Sequence, residues 1–234
     1  MRTDRAKAPG QHPPLTQEAL VGAALLVLER DGLDALSMRR VAAELGVQAP
    51  SLYWHVRNKE QLLDLLADAL VADAEPPPRV GGWREQLRAY CHLHRRHLLG
   101  KRDAARVVAG RFNLGPSLLV ILEEQLDRLR EAGFPAAEAA LTSYLLGNYV
   151  TGFVLQEQSP LSAAEAVGHA TRTEVVDAAR AHLRQLPADR FPNLVALAAE
   201  LSEPNMEDRF AFGLERILDG LATVLEPDAA QNRG

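Results

Sequence analysis

Residues 37–59 read SMRRVAAELGVQAPSLYWHVRNK, two short helical patterns joined at Gly46. Ser37 stands where an N-cap is wanted, and Val41, Ala42 and Leu45 follow it at helical spacing. Gly46 can take the left-handed conformation that ends one helix and swings the next across it. Pro50 suits the first turn of the second helix, where its missing N–H costs nothing. Leu52 and Val56 keep that second piece on the same core, which leaves Gln48, Ser51, Tyr53, Trp54 and His55 on a face with no apolar work to do. The spacing predicts a helix-turn-helix; the competing reading makes Tyr53 and Trp54 core aromatics on a short helix.

Outward from this stretch the flanks are helical. Thr16 caps a helix whose Ala19, Leu20, Ala23, Ala24, Val27 and Leu28 form one apolar stripe to about Arg30, and Asp31 with Gly32 stops it. Asn58 caps a further helix, KEQLLDLLADALVADA, apolar on so wide an arc that it must touch two bodies; it is read as a connector. Residues 1–14, with Pro9, Gly10, Pro13 and Pro14, offer nothing to bury and are expected to be a disordered arm. At residues 75–82, EPPPRVGG cannot be helix interior and marks a linker. The expected organisation is therefore a head over residues 15–74, a second domain over 83–227 and a disordered tail from 228 to 234.

Composition narrows the class. The chain has 234 residues, 47% of them hydrophobic and only 5% aromatic, which favours helices. A single cysteine, Cys91, cannot form an internal disulfide and reads as a small buried apolar residue in a reducing cytosol. The first dozen residues carry Arg2, Asp4, Arg5 and Lys7 without an apolar run, and no stretch approaches a membrane span, so a cytoplasmic protein without membrane attachment is expected. Net charge is −5, and residues 1–75 alone hold 8 Arg plus Lys against 11 Asp plus Glu. Between Ser37 and Lys59, however, Arg39, Arg40, Arg57 and Lys59 oppose only Glu44. The positive field is local, at a surface suited to phosphate.

Beyond the linker the pattern is helical throughout. Helices are predicted from Trp83 to about Leu99, briefly from Asp103 to Phe112, from Pro116 to a stop at Gly133, from Pro135 to Gln158, weakly from Ser162 to Arg184, and from Asp208 to Leu225. A loop rich in Pro, Asp and Asn precedes the last of these. Residues 141–155 contain no charge and must be buried by protein, while Gly147 and Gly152 allow a close approach to the backbone. Two such helices from each of two copies would pack as a four-helix bundle, which predicts a homodimer; a monomeric bundle is the alternative.

With its flanking helices, the run Leu52, Tyr53, Trp54, His55, Val56, Asn58 and Lys59 resembles the DNA-binding domain of the TetR family of bacterial transcriptional repressors. The segments KRDAARV (101–107), LEEQLDRLREAGF (122–134), GFVLQEQ (152–158) and FAFGLERILDGL (210–221) are similar to the C-terminal domain of its tetracycline-repressor branch. The resemblance implies an all-α homodimer: a three-helix DNA-binding domain below a larger helical bundle that binds an effector and dimerises through helices around 135–158 and 208–225. It implies double-stranded operator DNA and a small-molecule effector as partners, and repression relieved by that effector; an activator of the same architecture stays open. Position by position it assigns DNA contacts to Ser37, Arg39, Gln48, Ala49, Pro50, Ser51, Tyr53, Trp54, His55 and Lys59. The chemistry agrees: Arg39 can fork onto guanine, Gln48 can pair with adenine, and Ser51, Tyr53, His55 and Lys59 can donate to phosphate. Arg40 points elsewhere and reads as a surface ion pair.

For the effector, Tyr144, Asn148 and Thr151 lie at i, i+4 and i+7 on the uncharged helix as one polar stripe. Tyr90, His94, Phe112, Gln125 and Gln156 are candidates for the same cavity, with core packing or an interhelical hydrogen bond the equal alternative for each. In the tetracycline repressor two histidines help fix a metal-drug complex; here Val108, or a neighbour, and Asn148 fall at those positions, and Gln156 replaces a carboxylate. A largely apolar molecule with a few hydrogen-bonding groups is expected rather than magnesium-tetracycline. His92, His94 and His97 do not make a metal site, since only the last two share a helix face and cations crowd them. No cofactor is expected. Nor is an enzyme: there is no phosphate loop, nucleophile elbow or pair of inward carboxylates.

Overall fold

A computed structural model describes residues 15–111, 115–159, 168–202 and 205–225, and those residues are helical with no strand among them. The expected arm, tail and Phe112 lie outside the described residues. The chain forms two compact units, one of residues 1–73 and 101–119, the other of residues 74–100 and 120–234.

In the first unit α1 (Gln17–Asp31) is capped by the Thr16 hydroxyl, which accepts from the Ala19 amide, and it ends at Gly32 with φ 83°. A 3-10 turn (Leu33–Ala35) leads to α2 (Met38–Glu44), whose Ser37 cap accepts from the Arg40 amide. Gly46, at φ 68°, turns the chain into α3 (Ala49–Leu52), with Pro50 in its first turn. The Asn58 side chain then caps α4 (Lys59–Val71) by accepting from the Gln61 amide. Leu20, Val27 and Leu28 of α1, Val41 of α2, Leu52, Val56 and Leu62 and Leu66 of α4 are buried together. Each such side chain contributes about 1.5–3 kcal/mol of transfer free energy.

The second body touched by the wide apolar arc of α4 is α6 (Ala104–Val108), whose Ala104, Ala105 and Val107 are buried. Residues 101–119 thus pack with the first unit although they follow the linker in sequence.

The second unit contains α5 (Trp83–Leu99), most of α7 (Pro116–Glu131), α8 (Ala136–Gln158), α9 (Arg172–Arg184), the short α10 (Pro192–Ala196) and α11 (Ala198–Leu201), and α12 (Met206–Leu225). Its core joins Leu87, Cys91 and Leu98 of α5, Leu146, Val150 and Val154 of α8, and Phe210, Leu214 and Leu218 of α12. Two expectations need correction. Residues 162–167 of the expected weak helix lie outside the described residues, and the described helix begins at Arg172, where Thr171 and Glu174 form a reciprocal capping box; the expected Pro-rich loop holds α10 and α11, Pro192 opening the first.

Candidate DNA interface and effector region

The turn at Gly46 leaves α3 a single turn long, anchored by fully buried Leu52 and by Val56. The aromatic pair beside that anchor faces water. Trp54 is 90% exposed and Tyr53 53%, which disposes of the reading that they are core aromatics. Arg39, Gln48 and Pro50 are exposed, while Ser37, Ala49, Ser51, His55 and Lys59 are half-buried beside them. The ten predicted residues therefore come from α2 and its Ser37 cap, α3 and the Gln48 that precedes it, the turn after α3 and the first position of α4, and among the described residues Trp54 and Arg39 stay exposed.

The cations of this unit fall into two sets. Arg40 pairs with Asp31 at 2.6 Å, as expected of a surface ion pair, and Arg30 bridges Asp31 and Glu44. Arg106 forks onto Asp34 and reaches Asp103, while Arg111 takes Glu60 and Asp64 at 2.9 Å each. Among the described residues, the side chains of Arg39, Arg57 and Lys59 have no hydrogen bond or ion pair. Three cations without such partners beside the exposed Gln48, Tyr53 and Trp54 side chains form a surface complementary to the phosphate backbone and base edges of a duplex.

In the second unit the seven described effector candidates fall on the inner and outer sides of α8, and Phe112 lies outside the described residues. On the inner side, Gln125 is buried and accepts a 2.7 Å hydrogen bond from the Ser143 hydroxyl. Buried Tyr90 lies edge-on to His94, their ring centroids 6.4 Å apart. His94 is half-buried, and desolvation, with the His97 charge, pulls its pKa to about 4. Burial holds the Tyr90 phenol in its neutral form well above the usual range. At neutral pH both groups are uncharged hydrogen-bonding partners. On the outer side, Tyr144 is 74% exposed, Asn148 is exposed and donates to the Tyr144 carbonyl, and Leu141 and Leu145 stand beside them. Thr151 is half-buried and Gln156 exposed. Tyr144 and Asn148 are thus not brought into one cavity with Tyr90, His94 and Gln125 within one chain, because the buried face of α8 runs through Thr142, Ser143, Leu146 and Val150, away from both.

Comparison with known proteins identifies this arrangement. The profile of the bacterial regulatory proteins of the tetR family matches residues 20–66, and that of the tetracyclin repressor-like C-terminal domain matches residues 75–225. The chain belongs to the TetR family. The transcriptional repressor DrrR1 of Streptomyces coeruleorubidus is 37% identical, over 99% of this chain and 85% of that protein. The class A tetracycline repressor from transposon 1721 in Escherichia coli is 36% identical, over 89% and 91%. A crystal structure of ActR from Streptomyces coelicolor in complex with actinorhodin superposes with a TM-score of 0.79 at 40% identity, covering 90% of this chain and 96% of that one. This TetR-family chain is accordingly a transcriptional repressor, and its family is one of regulators rather than enzymes. No described helix is long and apolar enough to cross a membrane.

Several buried groups of this TetR-family fold carry no motif. Arg95 is buried yet forks onto Glu157 at 2.8 and 2.9 Å, bonds Glu207, and lies over the Phe210 ring at 4.9 Å, tying α5 to α8 and α12. Arg84 and Arg88 grip Glu215, whose pKa falls to about 2 chiefly through the Arg88 hydrogen bond. The one available signal was the excess of Arg on α5 over acids spaced along α12. Cys91 is buried and its thiol is pushed up to about 12 by desolvation, so it packs as the small apolar residue expected.

Proposed function

We propose that two copies of this chain join through the outer faces of α8 and α12, present two α3 tips to a near-palindromic operator, and let go when a largely apolar small molecule occupies the second unit. In this reading residues 15–74 read DNA and the part from 83 to 227 senses and dimerises. The supporting observation is the tip: exposed Trp54, Tyr53 and Arg39 with Lys59, the two cations making no side-chain hydrogen bond or ion pair among the described residues. The ten residues from Ser37 to Lys59 are its contact set, with Arg39 and Gln48 reading bases and the hydroxyls, His55 and Lys59 holding phosphates.

Exposed Leu141, Tyr144 and Leu145 on α8 and Phe212 on the adjacent α12 make an apolar face of the kind that a second copy buries. A Cβ added at Gly147 or Gly152 would meet nothing within 4 Å, so that face is also smooth enough for another helix. Dimerisation would set the α3 tips about 34–36 Å apart, in successive major grooves. An effector that binds better to a dimer with another spacing releases the operator. Tyr90, His94 and Gln125 are the interior groups that would receive it, and the neutral state of the first two suits an uncharged, mainly apolar molecule. ActR, whose crystal structure is a complex with actinorhodin, supports a small-molecule effector.

Fluorescence anisotropy tests the reading: a duplex selected by the protein should bind tightly, two chains per duplex, and a screened small molecule that raises the melting temperature should displace it. A stabilising ligand that leaves the complex intact contradicts the release step.

A further inference from the structure

The recognition turn is too short to hold its own shape. α3 is four residues long, and isolated helices that short are unstable in water. After it the chain runs through a turn at residues 53–55, one buried residue, Val56, and then exposed Arg57 and Asn58 before α4 begins. Two glutamines grip this piece from opposite sides. Gln17, at the start of α1, donates from its Nε2 to the His55 carbonyl at 3.3 Å. Gln61, in the first turn of α4, accepts the Arg57 amide on its Oε1 at 2.7 Å while its own amide donates to the Asn58 side chain at 2.9 Å. The bond from Arg57 to Gln61 is the shorter of the two grips and satisfies an amide that no helix would satisfy.

That grip fixes the backbone from which the Arg57 side chain leaves. The side chain is exposed and uncommitted among the described residues, and Glu60, the acid nearest in sequence, is already taken by Arg111. With Lys59 two residues on, Arg57 presents a guanidinium at the margin of the surface assigned above to DNA.

We infer that Arg57 is a further phosphate contact and that Gln61 is the positioning residue that aims it. The inference rests on the reading that this face meets DNA. A phosphate contact has a signature that a purely structural residue lacks: each one lost lowers the slope of log K against log salt by about 0.9. Arg57→Ala should therefore flatten the salt dependence by about 0.9 per half-site. Between about 50 and about 200 mM salt, that makes the wild type lose about 3.5-fold more affinity per half-site than the variant. Gln61→Met, which keeps the stem but removes the acceptor, should flatten the slope in the wild-type background and add nothing once residue 57 is alanine.

The experiment titrates the full chain against a mixed-sequence duplex of about 30 base pairs, long enough for two half-sites one turn apart. Wild type, both single variants and the double variant are compared across salt, with melting temperatures recorded. The four expected slopes support the inference. An unchanged slope for Arg57→Ala overturns the contact while leaving the DNA reading intact. Equal losses from Gln61→Met in both backgrounds overturn its positioning role and leave it as support for the fold. If the wild type ignores duplex at low salt, the DNA reading itself has failed and the inference with it. Because Arg57 is exposed, its variant decides the first point even if Gln61→Met folds poorly.

Discussion

Arg39, Arg57 and Lys59 at the reading tip and Arg102, Arg106 and Arg111 around α6 are the same chemistry in opposite states. Around α6 every guanidinium is engaged. Arg102 donates to the carbonyls of Glu29 and Arg30 at the end of α1, Arg106 forks onto Asp34, and Arg111 onto Glu60 and Asp64. At their centre is Asp103, the one described non-glycine residue in the left-handed region, at φ 55°, whose Oδ2 accepts the Leu33 amide at 2.8 Å. Gly32 faces it at φ 83°, where a Cβ would come within 3.0 Å of the Arg102 guanidinium. Such backbone is tolerated only where surrounding contacts over-determine it. At the tip nothing is over-determined except the anchor, and the cations are held in reserve. Intramolecular pairing maintains geometry, and its absence marks the surface meant for another molecule's charge.

The comparison can be broken most severely by removing the second copy. Phe212→Glu with Tyr144→Glu should give monomers by light scattering and lower operator affinity by about 10²–10⁴-fold, the gain normally supplied by a linked second site. Gly213 and Leu221 are poor probes for this purpose: a Cβ at Gly213 would strike the Tyr149 hydroxyl, and Leu221 is buried within its own chain. Next in size, Arg39→Ala should relax base preference at one operator position by about 1–3 kcal/mol, while Lys59→Ala should weaken all sequences alike and lower the salt slope by about 1. Neither should change folding stability by more than about 0.5 kcal/mol, since neither side chain makes a hydrogen bond or ion pair among the described residues and Lys59 acts on Asp34 only through its charge.

Asp103→Ala reverses that pattern. It orphans the Leu33 amide and should cost about 1–3 kcal/mol in urea unfolding, with the salt slope of DNA binding preserved. Asp103→Asn, which keeps an acceptor and tolerates the left-handed backbone, should recover much of the loss. The smallest effect concerns pH. The folded pKa of His94 is depressed from 6.5 to about 4, so the unfolded chain binds the proton more readily between those values. Stability is therefore complete above about pH 6.5 and declines as pH falls toward 4. His94→Asn should flatten that decline in thermal melts followed across the same window.

Much of the head was legible because its signals are local. Thr16, Ser37 and Asn58 cap by side-chain bonds three residues long, and Gly32 and Gly46 end helices by backbone conformation alone. The second unit resisted where partners are distant. Arg95 meets Glu157 and Glu207 from 62 and 112 residues away, and spacing along one helix carries no trace of such pairs. The uncharged α8 hides its two faces for a related reason: with no charges to mark the wet side, Tyr144 and Asn148 read as a buried stripe although both are exposed. At Gly213 the space beside the backbone is filled by Tyr149 of the same chain, which donates to the Phe210 carbonyl at 2.7 Å, and nothing local in the sequence marks that partner. Sequence order puts residues 101–119 with the second domain, but the pairing of Arg102 and Asp103 with the end of α1 binds them to the first unit.

Selection of bound duplexes from a random pool by the purified full chain tests the central claim most directly. Two uncommitted tips on one symmetric pair should enrich a motif with dyad symmetry, its half-sites centred about 10–10.5 base pairs apart, and Arg39→Ala should blur one position in each half. Enrichment of a motif without symmetry, or of none, would contradict the account.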